Sequence, residues 1–417
     1  MAKNRKTVLK SFTYLQCDDF ADYLSQMAAQ GWHFKEWGAG LVFEKGEPEK
    51  VTYAVEVFIH GSEYDLRPDV HTLNFADYCE AAGWKLVDAK MKFVIFKQIR
   101  PDAVPILTPE ERLKNASKAY RGQLIWQSVL SLLWLGNMLL RLLPEPQLIN
   151  TLFSDYQLLM CAFWIYYAFC TAVKCVLYGV WVFKTRKRCK AGESKILNQS
   201  RQTLLHWVSN CILIVLLGGQ VATLGSVALI IYLAITLILL IPAVLFAIFR
   251  PDRDTFIGFQ IVMPLVLILL IVFIATFTAM ISDDAQLSTD GFPLVYEDLG
   301  YDAGKIESSS HASSASIFGM TYFYSIFYED ACIVYQVYET EHEWILDLVW
   351  DENIWTDSTI VGSVTDCTAL WDAEAAVHNG RDYIVRYGGK ILILDFFALE
   401  MTEEYTTIIR NALDLED

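Results

Sequence analysis

The chain has 417 residues, 54% of them hydrophobic and 20% charged, with 33 Lys and Arg against 49 Asp and Glu and a formal net charge of −16. A mean hydropathy of +0.31 excludes a disordered chain and is too apolar for an ordinary soluble globule. The length leaves room for two or three domains, and no basic surface argues for nucleic acid as a direct partner.

The charge is unevenly spread. Residues 1–120 carry 16 basic and 17 acidic side chains, residues 121–281 carry 12 and 5, and residues 282–417 carry 5 and 27. These boundaries also divide the chain by hydropathy, giving a near-neutral first domain, an apolar middle and an acidic end.

In residues 1–120 the tetrapeptide Phe-Ala-Asp-Tyr occurs twice, at 20–23 and 75–78. Each copy is followed by a Gly-Trp pair, Gly31-Trp32 and Gly83-Trp84, and then by two strand-like runs ending near Phe43 and Phe96. Phe20, Tyr23, Leu24 and Met27 share one helical face, as do Phe75, Tyr78, Cys79 and Ala82. Gly31 and Gly83 suit the left-handed position that ends a helix. The alternation of Trp32-His33-Phe34-Lys35 predicts a half-buried strand, and Val51–Val57 predicts an additional strand beside the first copy. The expectation is a duplicated α+β domain of two helix–strand–strand units. Trp32 and Trp84 are expected to anchor its core, and His33, on the opposite strand face, is a structural or partner-contact residue.

The segment Met27-Ala28-Ala29-Gln30-Gly31-Trp32-His33, with Phe43-Glu44-Lys45-Gly46-Glu47-Pro48 after it, resembles a bacterial membrane family described only as a domain of unknown function. Its hallmark is Ala-Ala-x-Gly-Trp-His followed by Phe-x-Lys-Gly-x-Pro. The resemblance covers roughly residues 10–100. It implies a Gram-positive host, membrane spans after the domain and genes often encoded near PadR-type regulators. It implies no activity and transfers no catalytic residue.

Five apolar runs follow, at 122–143, 156–183, 203–220, 222–249 and 257–281. A bilayer core takes about 20 apolar residues per helix, so the expected fold class is a five-span, multi-pass α-helical membrane protein. The start of the chain lacks the apolar core of a cleavable signal peptide, which keeps the first domain in the cytoplasm. The 184–202 loop carries Lys184, Arg186, Lys187, Arg188, Lys190, Lys195 and Arg201, and the 250–254 loop carries Arg250 and Arg253. Both belong inside by the positive-inside rule. An odd number of spans then puts residues 282–417 outside, in a plasma-membrane protein. Lys174 is the one cation well inside a run; it either snorkels toward the inner face or marks a transport path.

In residues 282–417, Ser308–Ser316 predicts a flexible tether, whereas Ile317–Tyr328 and Cys332–Tyr338 predict paired strands. Helices are expected at His342–Asp351 and Ala369–His378, and a last one opens at Thr402. Tyr383–Tyr387, Gly388-Gly389 and Lys390–Leu394 predict a hairpin. Cys332 and Cys367 are the two thiols of a domain expected outside the cell and are a candidate disulfide. No spacing for a metal or a cofactor occurs, and His60 and Asp65, the one His-x4-Asp match, are no more than chance supplies, so the protein is not expected to be an enzyme.

The functional expectation is a membrane signalling or regulatory protein. An extracytoplasmic sensing domain with an unidentified ligand is coupled to a cytoplasmic domain that contacts a regulatory protein, the lipid bilayer lying between. The alternatives are a transport component with Lys174 near the substrate path, or a cell-envelope binding or assembly protein.

Overall fold

In the computed structural model, the described residues are 4–143, 145–193, 195–198, 202–223, 245–246, 248–260, 262, 291–301, 304–355, 364–397 and 400–415. They form two units. The first comprises Met1–Trp134, Trp164–Val215 and Gly225–Ala275; the second comprises Leu135–Phe163, Leu216–Leu224 and Thr276–Asp417.

The first unit opens with strand β1 (Arg5–Val8), helix α1 (Cys17–Ala29), β2 (Trp32–Trp37) and β3 (Leu41–Lys45). The same order returns as β4 (Tyr53–Val57), α2 (Val70–Ala81), β5 (Trp84–Lys90) and β6 (Phe93–Gln98). The strand orders, β1-β3-β2 and β4-β6-β5, are equivalent. Gly31 at φ +79° and Gly83 at φ +93° end the two helices, a conformation that favours glycine. The carbonyl of Gly31 accepts from Gly46 N–H, and that of Gly83 from Ile99 N–H, both at 2.9 Å. Even the irregularities agree: the register shifts between Phe34 and Glu36 in one half and between Leu86 and Asp88 in the other.

Each half is therefore strand–helix–strand–strand. The strand expected as an addition to the first copy is β4, which pairs with β6 and leads the second. One core gathers Phe20, Leu24 and Met27 of α1 with Val55 and Val57 of β4 and Phe93 and Ile95 of β6. A smaller one holds Ala76, Cys79, Trp84, Val94 and Phe96.

The five-span expectation is not what the structure describes. Among the described residues two helices are long and apolar enough to cross a membrane, α3 (Pro109–Leu142) and α5 (Asp155–Lys190). The run at 203–220 lies within α6 (Gln202–Thr223), of which Ser209–Gln220 counts as a shorter apolar helix among the described residues. The runs at 222–249 and 257–281 fall largely outside the described residues.

The second unit is a seven-stranded antiparallel sheet of order β10-β11-β12-β13-β9-β8-β7. Its strands are β7 (Ile306–Ser316), β8 (Gly319–Tyr328), β9 (Cys332–Glu339), β10 (Thr365–Asp366), β11 (Ala375–His378), β12 (Asp382–Tyr387) and β13 (Lys390–Phe397). Strand alternation gives the sheet two buried faces. Tyr335, Val337, Leu392, Leu394 and Val385 pack toward Leu294, Tyr296, Trp371 and Ile409. The last two lie on α8 (Thr368–Trp371) and α9 (Glu403–Ala412). Tyr338, Ile384 and Ile391 pack toward Ile345, Leu346 and Val349 of α7 (Glu343–Trp355), together with Ile149 and Leu152 of α4 (Glu145–Leu152) and Phe153.

Three expectations change here. Ser308–Ser316 is the strand β7, paired with β8 along its length; Ser314 Oγ donates to the Phe153 carbonyl at 2.7 Å. Residues 369–378 are not one helix, because Asp372 at φ +46° ends α8 and the chain continues as β11. Cys332 and Cys367 are free thiols. Cys332 lies on β9, whereas the Cys367 amide bonds to Ala376 on β11, three strand positions away. At about 4.8 Å per strand that separation exceeds what a disulfide spans.

Candidate functional site: buried carboxylates at the helix ends

Four carboxylates of the first unit, Asp18, Glu56, Asp65 and Asp88, are buried, which is costly unless each is paired. Asp18 lies in the first turn of α1 and Glu56 in the apolar strand Val55-Glu56-Val57. Between them enters Arg112, on the first turn of α3. Its Nη2 donates to Asp18 Oδ1 at 2.8 Å and its Nε to the Glu56 carboxylate at 2.9 Å. The three side chains are 11%, 8% and 7% exposed, respectively. Asp18 Oδ2 also accepts Leu197 N–H at 2.8 Å, and the Asp18 amide donates back to the Leu197 carbonyl. Leu197 belongs to the chain that follows α5, and beside it Lys195 reaches Asp22 at 2.6 Å.

Asp88 forms the second centre. Its carboxylate accepts Trp37 N–H at 2.6 Å and takes both Nη atoms of Arg250 at 2.9 Å. Such a two-point match is the geometry that a planar guanidinium suits and a lysine does not. The same guanidinium donates to the carbonyls of Ala89 and Leu66. Asp65 accepts from Ser62 N–H at 2.6 Å and pairs with Arg253 at 3.0 Å.

Two carboxylates share one guanidinium in the Asp18–Arg112–Glu56 cluster, so it carries a surplus of negative charge. Burial pushes the Glu56 carboxyl up to about 7, Arg112 opposes that rise and Asp18 adds to it. Burial would lower Arg112, but Glu56 and Asp18 outweigh it and hold its proton more firmly. Burial and the Glu56 charge also raise two neighbouring thiols, Cys17 well above the usual range and Cys79 to about 11. Neither is a reactive thiolate at neutral pH.

Glu56 yields a test with a definite sign. Its folded pKa, about 7, lies above the ordinary 4.5, so its contribution to stability is full below about pH 4.5 and is lost as pH rises through about 7. The span is worth on the order of 3 kcal/mol. Pulse proteolysis of the full chain in urea should show the first unit more stable at pH 5 than at pH 8, and Glu56→Gln should remove most of that difference. An unchanged slope in the variant assigns the dependence to other groups.

The residues singled out from the sequence lie elsewhere. Trp84 is buried, and its Nε1 donates to the Val104 carbonyl at 2.7 Å. Trp32 is half-buried beside the larger core, with Lys6 Nζ 5.6 Å from its ring centre. His33 bonds through Nε2 to the Glu47 carbonyl at 2.8 Å. Its ring lies so close over Gly46 that a Cβ there would be 2.7 Å away. A Cβ on Gly31 would meet the Gly46 carbonyl at 2.8 Å and touch the Pro48 ring. The residues shared with the hallmark thus fasten the helix end to the hairpin. Lys174 is half-buried on α5 with no ion pair among the described residues. None of these residues joins the carboxylate centres, and no group suited to a metal ion occurs among the described residues.

Sequence reasoning missed Asp18, Glu56 and Asp88, and met Asp65 only in a chance spacing with His60. The usable signal was an acid inside a β-branched run, as in Val55-Glu56-Val57 and Val87-Asp88-Ala89, where a solvated charge is out of place. Neither the curated proteins nor the solved structures include a match to this chain. Residues 16–129, from the turn before α1 into α3, match a family model described as a protein of unknown function, DUF2812.

Proposed function

We propose that the protein is a membrane signalling component in which a cytoplasmic interaction domain is coupled, through helices that include α3 and α5, to an extracytoplasmic sensing domain. One observation carries this reading. Asp18, Glu56, Asp65 and Asp88 each take a partner from chain that leads into or out of an apolar run: Arg112 before the first, Leu197 after α5, and Arg250 and Arg253 between the last two. A domain that only assisted assembly would not require the costly desolvated pairs that Arg112 and Arg250 make.

The same contacts support an orientation. Three of the basic residues that the positive-inside rule assigns to the cytoplasm, Lys195, Arg250 and Arg253, bond to the first unit. The stretch between α3 and α5 instead belongs to the second unit, where Phe153 packs against Tyr338 with ring centres 5.1 Å apart. With α3 and α5 crossing the bilayer, the first unit faces the cytoplasm and the second faces outside. A reporter fused after Asp417 should be active only outside, and one inserted within 187–195 only inside; the reverse pattern would end this reading.

The matching halves, with register shifts at equivalent positions, support an origin by duplication. The resemblance at residues 27–48 supports a Gram-positive host and makes a PadR-type regulator the first partner to test. Val70, Leu73 and Tyr78, exposed on α2, are a contact face available to it. Coupling itself is read by hydrogen exchange on the full chain in nanodiscs. Arg250→Ala should alter protection across residues 304–397; protection changed only within the first unit would refute the coupling.

A further inference from the structure

Residues 195–198, between α5 and α6, lie in no helix or strand. Ile196 and Leu197 are buried in the larger core, and three polar contacts seat the stretch on α1. Leu197 N–H donates to Asp18 Oδ2 at 2.8 Å, the Asp18 amide donates to the Leu197 carbonyl at 3.2 Å, and Lys195 reaches Asp22 at 2.6 Å. The last of these is an exposed ion pair and contributes little, so Asp18 is the group that holds the seat. The seat is also incompletely satisfied. Asn198 Oδ1 and, in the same core as Leu197, Trp181 Nε1 are buried with no hydrogen-bond partner among the described residues, and each such atom gives up its hydration for nothing in return.

Asp18 does not serve Leu197 alone. It shares Arg112 with Glu56, so two buried carboxylates face one guanidinium, and charge balance in that corner calls for one carboxyl proton. The geometry assigns the proton to Glu56. Asp18 accepts from two donors, Arg112 Nη2 and Leu197 N–H, and both favour its anion. Glu56 is met by Arg112 and stands between the buried Val55 and Val57. The other titratable groups at the corner supply no second cation: Cys17 on α1 and Cys79 on α2 are thiols held neutral, and Asp19, which acts on Cys17, adds only negative charge. Once Glu56 ionises, both carboxylates compete for Arg112 and repel each other. The ladder of β4 with β6 keeps Glu56 in place, whereas Asp18, in the first turn of its helix, can rotate toward water. That rotation takes the acceptor away from Leu197 N–H.

We infer that residues 195–198 are a pH-sensitive latch on the first unit, shut while Glu56 carries a proton and released when that proton passes to solvent and Asp18 turns outward. The sign is fixed by the direction of the Glu56 shift. Its carboxyl is raised from 4.5 to about 7 in the closed corner, so the shut form is favoured at low pH and loses ground as pH rises through about 7. Because the stretch joins α5 to α6, its release changes how the start of α6 is tied to the first unit. The latch goes beyond the signalling role proposed above. It uses groups of the first unit alone and stands whether or not α3 and α5 cross a membrane.

Hydrogen exchange on the full chain in mild detergent, corrected for the intrinsic pH dependence of exchange, reads the latch at the Ile196 and Leu197 amides. Wild-type protection there should fall about tenfold from pH 6 to pH 8, the change expected of one carboxyl that moves from about 7 when shut to 4.5 when open. Low urea should leave those two amides unchanged while it speeds exchange in the ladders of β3 and β6, because a local opening exposes little surface. Glu56→Gln and Asp18→Asn should each abolish the tenfold fall. The first removes the titrating group; the second leaves one carboxylate for one guanidinium, and the amide oxygen there still accepts Leu197 N–H. Asp77→Asn, exposed on α2, should keep the full fall. Equal protection at both pH values in the wild type, or a fall that survives Glu56→Gln or Asp18→Asn, would overturn the latch. So would exchange at Ile196 and Leu197 that climbs with urea as the ladders do, since that reports unfolding of the whole unit instead of release of one segment.

Discussion

Arg112→Ala should destabilise the first unit by about 3–5 kcal/mol, because it leaves Asp18 and Glu56 buried together with no cation between them. Most of that loss is the desolvation of the orphaned carboxylates, not the attraction removed. The triple change Asp18→Asn, Glu56→Gln, Arg112→Met removes all three charges at similar volume and should recover most of the stability. Urea titration followed by hydrogen exchange in residues 4–120 of the full chain measures both. If the single and triple variants unfold alike, packing by the arginine stem holds this corner together, and the ion cluster contributes little.

Trp84→Ala should cost about as much, roughly 3–5 kcal/mol, since the indole fills the smaller core and its Nε1–H is satisfied by the Val104 carbonyl. Trp32, equivalent in sequence, is only half-buried, so Trp32→Ala should cost roughly half as much. His33→Ala removes one hydrogen bond, to the Glu47 carbonyl, worth about 1 kcal/mol. Thermal melts of the three variants in one detergent rank them. Equal losses at Trp32 and Trp84 would mean that the two halves bury their tryptophans alike in solution.

Much of the local architecture was legible because it is written in neighbouring residues. Gly31-Trp32 and Gly83-Trp84 announce a helix end and a strand start, and both form. The Gly388-Gly389 turn joins β12 to β13 as expected, and Thr402 caps α9 by accepting Tyr405 N–H. What failed depends on distance along the chain. Nothing near Glu56 indicates that its partner lies 56 positions later, or near Asp88 that its partner lies 162 later. The serines of β7 have the composition of a linker; they form a strand because β8 offers ten residues of ladder to pair with. The alanines after Trp371 favour helix, but the left-handed Asp372 overrules them.

The late position of Arg112, Leu197 and Arg250 sets an order of synthesis. At about 5–20 residues per second, a ribosome completes β4 several seconds before it makes Arg112, and far longer before it makes Arg250. Until Arg112 is made Asp18 and Glu56 have no guanidinium to meet, and Asp88 waits longer for Arg250, so these carboxylates stay hydrated and the first unit cannot close. Its completion waits on chain made later, since Leu197, Arg250 and Arg253 all follow α5. A chain that stalls before Arg250 therefore keeps an open amino-terminal domain, which quality-control proteases can recognise. Finished folding of this domain is a report that the rest of the molecule has been delivered.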